Sequence, residues 1–329
     1  MVVDSCLKEP RGRPIALEYL ESVNVDVSRQ VKLVVVTHWH DDHIQGVAEV
    51  VRASSSARFA CSAALQSREF FEVVAASENV KLVENTSGVS EFADLLTILE
   101  NRSPSKYKKG PVWAIEGRIL YSETAPVAIE VHALSPSDQT MLDAMGRFAM
   151  LFPPAEKPIG RFPSIGPNDL SVALLIRTTG LHLLLGADLE QGRDISRGWQ
   201  AVVGSPTRPR VKSCGFKVAH HGSEGADLPG IWTDLIVENA HVLLTPYANS
   251  GLPKESDIRR IKGMTEHVYC TVYPPTIPPP RRIVDRTMNE VARSRRAVSR
   301  RPGHIRLRTP FNGDQRNIRV DLFDGSKQL

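Results

Sequence analysis

Six consecutive residues, His38-Trp39-His40-Asp41-Asp42-His43, carry three imidazoles and two carboxylates. These are donors that divalent transition metals take, and an ion is held only where several of them aim at one point. Histidines one residue apart at the end of a strand can project the same way, so His38 and His40 suit one ion. Asp42 and His43, on the turn that follows, can address a second ion beside it. A solvated polar loop is the competing explanation, and it fits poorly with so many donors directly behind an apolar run. Asp41 has two readings: a carboxylate that orients a neighbouring imidazole, or a turn residue facing water. Bound metal would lower the pKa of coordinated water from about 16 toward about 7, giving hydroxide at neutral pH. A second ion would polarise the electrophile, so the chemistry expected is hydrolysis. No Ser-His-Asp arrangement is evident, and none is needed.

Several elements must position these donors. Val31–Val36 is valine-rich, broken only by Lys32, and predicts a buried strand. It runs straight into the histidines, so the cluster leaves the C-terminal end of a strand, where open α/β sheets commonly carry their sites. Met1–Cys6 predicts the end of a strand, Ile15–Val23 a short helix, Gly46–Ala53 a helix and Ala57–Ser62 a strand. Helices are expected at Ala63–Ala76 and Val89–Glu100, then a basic loop at Asn101–Gly110. Strands follow around Val112–Tyr121 and Ala128–Leu134, with helical character over Asp138–Leu151. Phe152–Pro167 holds five prolines and two glycines and predicts a long irregular loop of the kind that contacts substrates. Leu170–Arg177 and His182–Leu185 predict a hairpin turned at Thr179-Gly180. Later strands are expected at Gly215–Ala219, His241–Thr245 and Val268–Val272, with a helix from about Glu255 to Met264. His182, His241, His267 and His304 have no partners nearby in the sequence and read as structural.

The chain is expected to divide into residues 1–275, a catalytic domain, and 276–329, an appendage whose last strands pack back on it. The appendage begins in the proline-rich linker Pro274–Pro280 and continues into Arg281–Ser299, a predicted helix with Val284, Met288 and Val291 on one face. Two short strands over His304–Phe323, about a turn at Asn312-Gly313, close it. Arg281, Arg282, Arg286, Arg293, Arg295, Arg296, Arg300 and Arg301 could lie against nucleic-acid phosphates, or simply face water. Arg102, Lys106, Lys108 and Lys109 could extend that surface.

At 329 residues, 41% hydrophobic and 24% charged, the composition is that of a globular protein with a full core. A net charge of +4 suits an anionic substrate without demanding one. Cys6, Cys61, Cys214 and Cys270 form no CxxC pair, which argues against a zinc ribbon or a disulfide framework. Apolar runs such as Leu33–Val36 and Leu183–Ala187 fall far short of the roughly 20 residues a membrane span needs. The N-terminus lacks the pattern of a secretory signal, so no membrane association and a cytoplasmic location are expected.

His38-x-His40-x-Asp42-His43, with Thr37 before it and Gly46 after it, resembles the HxHxDH signature of the metallo-β-lactamase superfamily. Leu184-Leu185-Gly186-Ala187-Asp188 is similar to the strand that ends in that family's metal-bridging aspartate. Lys217-Val218-Ala219-His220-His221-Gly222-Ser223 is similar to its strand-end histidine motif. The paired histidines resemble the branch that includes the soluble domain of the DNA-uptake competence channel and related phosphodiesterase-like proteins. Asn168-Asp169-Leu170-Ser171-Val172 also resembles that branch.

The resemblance covers about residues 1–275 and implies an α/β fold, the four-layer αββα sandwich, here without the family's usual first two strands. Their absence would leave a sheet edge open to a partner protein. It implies two divalent ions, zinc or alternatively manganese. His38 and His40 would hold the first, Asp42, His43 and His220 the second, and Asp188 both. His220 is preferred to His221 because it ends the strand, which leaves His221 as an acid or as a partner to a ligand. Asp42 or the bridging hydroxide would handle the proton. The family's third histidine on the first ion has His132 or Asn168 as its replacement, and Asn168 is preferred. Asn168 would also face the substrate, while Ser223 would contact a substrate oxyanion or cap the next turn. The implied function is a phosphodiesterase acting on nucleic acid or a nucleotide. The alternatives are hydrolysis of a lactone, ester or amide, and a metal-binding regulatory module without turnover.

Overall fold

Leu33-Val34-Val35-Val36 is apolar on both faces, the pattern of a strand with no side turned to water. In the structure, a computed structural model, it is an interior strand with all four residues buried. The structure describes residues 1–7, 12–66, 87–102, 111–149, 166–247, 250–273, 275, 302–310 and 317–329. The architecture is mixed α/β, with a four-stranded parallel sheet, an eight-stranded sheet of mixed direction and a two-stranded ribbon. Contacts divide the chain into two compact units. One comprises Met1–Glu123, Glu130–Leu174 and Gly192–Arg208, the other Thr124–Ile129, Leu175–Gln191 and Pro209–Leu329.

In the first unit, β1 (Val2–Val3), β2 (Leu33–Val36), β3 (Arg58–Ser62) and β4 (Val112–Ala114) form the parallel sheet in that order. Two further strands are β5 (Ile119–Glu123) and β6 (Ile129–Ala133). Its helices are α1 (Ile15–Ser22), α2 (Val27–Gln30), α3 (Asp41–Ile44), α4 (Val47–Ala53), α5 (Ser87–Glu100), α6 (Asp138–Ala149) and α7 (Gly198–Gly204). Leu17, Val34, Ile44, Val50, Phe92 and Leu95 belong to one buried cluster that joins α1, α3, α4 and α5 to the sheet. Burying a side chain of this kind contributes about 1.5–3 kcal/mol. Arg102 closes the end of α4: its guanidinium donates to the carbonyls of Val51, Ser54 and Ala57, and that of Val51 belongs to the last turn, whose carbonyls lack intrahelical partners.

The same unit holds a carboxylate whose charge matters for stability. Arg197 Nε and Nη2 donate to Asp143 Oδ2 and Oδ1 at 2.7 and 3.0 Å. These bonds hold the Asp143 carboxyl down to about 2. A depressed carboxyl stabilises the fold above its unfolded pKa, about 3.9, and that contribution fades as pH falls toward the folded value. Asp143→Asn should therefore lower the melting temperature at pH 7 and have a much smaller effect at pH 2. Melts at the two pH values check this, and an equal effect at both would contradict it.

In the second unit, β7 (Leu174–Thr178), β8 (His182–Leu185), β9 (Ser213–Lys217), β10 (Ile236–Leu244), β11 (Val268–Cys270) and β14 (Lys327–Gln328) are successive neighbours in the eight-stranded sheet. Strands β8 to β11 run parallel and β14 pairs antiparallel with β11. Helix α8 (Glu255–Lys262) belongs to this unit. The ribbon joins β12 (His304–Arg308) and β13 (Arg319–Phe323) in antiparallel register, His304 opposite Phe323. Among the described residues, no helix is long and apolar enough to cross a membrane.

Most expected elements lie where the spacing places them. The exceptions have local causes. Of the helix expected at Ala63–Ala76, Ala63–Gln66 form a 3-10 turn, and the remainder lies outside the described residues. Leu170 closes a 3-10 turn, Pro167–Leu170, so the strand expected to start there begins at Leu174. Helix α7 was not anticipated, since glycines stand at both of its ends. Most of the loops expected at Asn101–Gly110 and Phe152–Pro167 lies outside the described residues, as do most of the Pro274–Pro280 linker, the helix expected at Arg281–Ser299, the eight arginines from Arg281 to Arg301 and the turn expected at Asn312-Gly313.

Candidate metal centre

The histidine run is organised by the parallel pairing of β1 with β2. Val3 pairs with Val35, and the next residue, Asp4, turns away in a left-handed conformation with φ of +59°. That places its carboxylate beside Thr37. Asp4 Oδ1 accepts the Thr37 N–H at 2.7 Å, and Oδ2 accepts both the Thr37 hydroxyl and His43 Nδ1, each at 2.7 Å. Thr37 has only one hydroxyl proton and gives it to Asp4, so its oxygen accepts from His38 Nδ1 at 3.0 Å. The neutral rings of His38 and His43 are thereby both protonated at Nδ1, which leaves the lone pair on Nε2, the arrangement a metal ligand requires.

His38 is fully buried, and its Nε2 lies 3.1 Å from His40 Nδ1. Two nitrogens bound to one tetrahedral ion at about 2.0–2.1 Å stand about 3.3 Å apart, so the pair is close to the spacing of shared ligands. His43 Nε2 and Asp42 Oδ2 are 3.5 Å apart. Asp41 and Asp42 open the single turn α3, where negative charge is favoured, and the fully buried Ile44 anchors that turn in the core.

In the second unit the donors sit at the ends of β8 and β9. Gly186 N–H donates to Lys217 O at 2.9 Å and His220 N–H to Ala187 O at 2.9 Å. The two strand ends approach so closely that a Cβ at Gly186 would stand 2.8 Å from both the nitrogen and the Cβ of Ala219, so only glycine fits. Asp188 follows at once, 3% exposed. Across from it, His220, His221 and Gly222 take φ values of +44°, +54° and +86° in succession. Consecutive left-handed residues other than glycine are costly, and such strain gathers at functional sites. His221 Nδ1 donates to the Thr245 carbonyl at 2.8 Å, which again leaves the lone pair on Nε2. That nitrogen is 3.7 Å from Asp188 Oδ2. The Tyr247 ring stacks on His221 with centroids 5.2 Å apart.

In the first unit the donors of His38, His40, Asp42 and His43 are neighbours, and in the second those of Asp188 and His221 are. Buried histidine and aspartate side chains of this kind could hold metal. In the second unit the histidine whose Nε2 lies near Asp188 is His221, where His220 was expected because it ends the strand. The backbone turns left-handed at both histidines, and the His220 ring lies by Glu190, with Nδ1 3.5 Å from Oε1. His132, the weaker candidate for a further ligand, has its Nε2 2.9 Å from Glu130 Oε2. Asn168 lies on the turn Pro167–Leu170, and the Val172 N–H just beyond it donates to the Thr37 carbonyl at 3.1 Å. Ser223 caps the turn Glu224–Ala226, its hydroxyl accepting the Gly225 N–H at 3.3 Å.

Sequence reasoning missed Asp4, Thr245 and Tyr247. Asp4 stands more than 30 residues from its partners, and Thr245 contributes only a backbone carbonyl, so no motif could mark either. The sequence matches no protein-family model and no curated protein.

Proposed function

We propose that the chain is a metal-dependent hydrolase of the metallo-β-lactamase type, most suited to phosphodiesters in nucleic acid or nucleotides. The observation that carries this reading is the histidine run of the first unit, where Thr37 and Asp4 hold His38 and His43 by Nδ1 beside His40 and Asp42. His38 and His40 would hold one ion, Asp42, His43 and His221 the other, with Asp188 between them. Imidazole nitrogen with carboxylate oxygen suits zinc, and manganese is the alternative. The fold proposed is the four-layer αββα sandwich, and the presence of a parallel and a mixed sheet supports it.

When bound, the ions would acidify coordinated water and neutralise charge on the substrate. The chain's own part is to orient the imidazoles through Asp4, Thr37 and the Thr245 carbonyl, and to place Asp42 where it can take the proton of the attacking water. The charge balance favours an anion. Four neutral imidazoles and two carboxylates would leave a centre of two divalent ions with a net charge of +2, or +1 once a hydroxide is bound, which a phosphodiester complements and a neutral lactone or amide does not. The purified protein loaded with zinc or manganese is to be assayed on bis-p-nitrophenyl phosphate, an acyl lactone and a β-lactam. Metal-dependent diester hydrolysis at least about 100-fold faster than the others is expected, roughly 2.7 kcal/mol in the barrier. Faster lactone or lactam turnover would overturn the substrate assignment.

A further inference from the structure

One half-buried arginine reaches the turn that presents His221. Arg260, on α8, directs three bonds from its guanidinium. Nε donates to Asp227 Oδ2 at 2.6 Å, Nη1 to Asp257 Oδ1 at 2.8 Å, and Nη2 to the carbonyl of Gly222 at 2.7 Å. Both carboxylates are themselves fixed. The Trp232 indole N–H donates to Asp227 Oδ1 at 2.6 Å, and the Lys254 N–H to Asp257 Oδ2 at 2.8 Å. Asp257 is only 2% exposed. Gly222 is the third of the three consecutive left-handed residues, and a Cβ there would stand 2.8 Å from Leu244 Cδ2 and 3.1 Å from Ile261 Cδ1. Strand β10 and helix α8 therefore press on the turn from the side while Arg260 holds its carbonyl.

We infer that Arg260 is a positioning residue for His221: its bond to the Gly222 carbonyl holds the left-handed turn that aims His221 Nε2 toward Asp188. The inference rests on the metal-centre reading and adds to it a residue that touches no ligand atom. A strained turn relaxes unless its surroundings over-determine it. Here that constraint is a planar fork satisfying two carboxylates and one carbonyl at once. Lysine, a single point charge on a flexible stem, cannot span the three acceptors.

Chelator-stripped wild-type protein is to be titrated with zinc alone by calorimetry, beside Arg260→Lys and Arg260→Ala. The wild type is expected to take two ions. The variants should keep one at wild-type affinity and bind the other about 10-fold to 100-fold more weakly, the usual effect of losing a group that orients a ligand. Guanidinium ion at millimolar concentration should partly restore the second ion in Arg260→Ala and leave the wild type unchanged. Ile258→Val serves as the control, because it loosens the core side of α8 without touching the carbonyl. It should lower the melting temperature and leave both affinities intact. If the Arg260 variants do not fold, Asp227→Asn, which slackens the hold on Arg260, should give the same split at smaller size.

Wild-type affinity for both ions in the variants, or an equal loss in Ile258→Val, would overturn the inference. If the wild type takes up no zinc, the metal reading fails separately. The inference is then decided on the metal-free protein by nitrogen NMR of neutral His221, expected as the Nδ1-protonated tautomer in the wild type and as a mixture in Arg260→Lys. An unchanged tautomer would overturn it.

Discussion

Asp188→Asn is expected to release metal from both positions and to slow hydrolysis of bis-p-nitrophenyl phosphate on the order of 1,000-fold or more, about 4 kcal/mol in the barrier. Asp188 is the side chain proposed to serve both ions, so its loss would weaken two ions at once, where loss of His40 would weaken one. The carboxylate is 3% exposed, and a buried negative charge is tolerable only when cations or donors face it. Asparagine keeps the volume and removes the charge, so the fold should survive while the ions lose their shared anionic ligand. Elemental analysis of the dialysed variant, with circular dichroism to check folding, reads the outcome. A folded variant with two ions and wild-type turnover would rule out the assignment of Asp188.

Asp4→Asn should weaken metal binding about 10-fold to 100-fold and cost roughly 1–3 kcal/mol of stability. The backbone is not the cause, because asparagine tolerates the left-handed conformation that Asp4 adopts with φ of +59°. The cause is acceptor count. Asp4 accepts three bonds, one on Oδ1 and two on Oδ2, and an amide offers one acceptor oxygen and one donor group. Turned one way, its NH2 faces the Thr37 N–H. Turned the other, it faces the Thr37 hydroxyl and His43 Nδ1. In the second case His43 is pushed toward the tautomer protonated on Nε2, where the lone pair is needed. Zinc titration against a competing chelator and urea unfolding read the two effects. Unchanged affinity would mean that His43 is oriented by something other than Asp4.

Local features of the centre were legible in the sequence and relational ones were not. The run His38–His43 declares itself because its donors lie within six residues behind an apolar strand. Helices α1, α5 and α8 follow from apolar spacing that buries residues such as Leu17, Phe92 and Ile258. The role of Asp4 depends on parallel pairing with a strand some 30 residues later, which no spacing encodes. The choice between His220 and His221 is made by two successive left-handed residues and a carbonyl on Thr245. Side-chain identity alone leaves the two histidines equivalent. Arg260 was hidden for a similar reason, since its acceptor at the turn is a backbone oxygen.

The most direct test of the account is the metal content of the purified protein, measured together with diester turnover before and after chelation. About two equivalents of zinc or manganese, with turnover lost to chelator and restored by either ion, is the result the account predicts. A folded protein that takes up no divalent metal under any loading condition would contradict it.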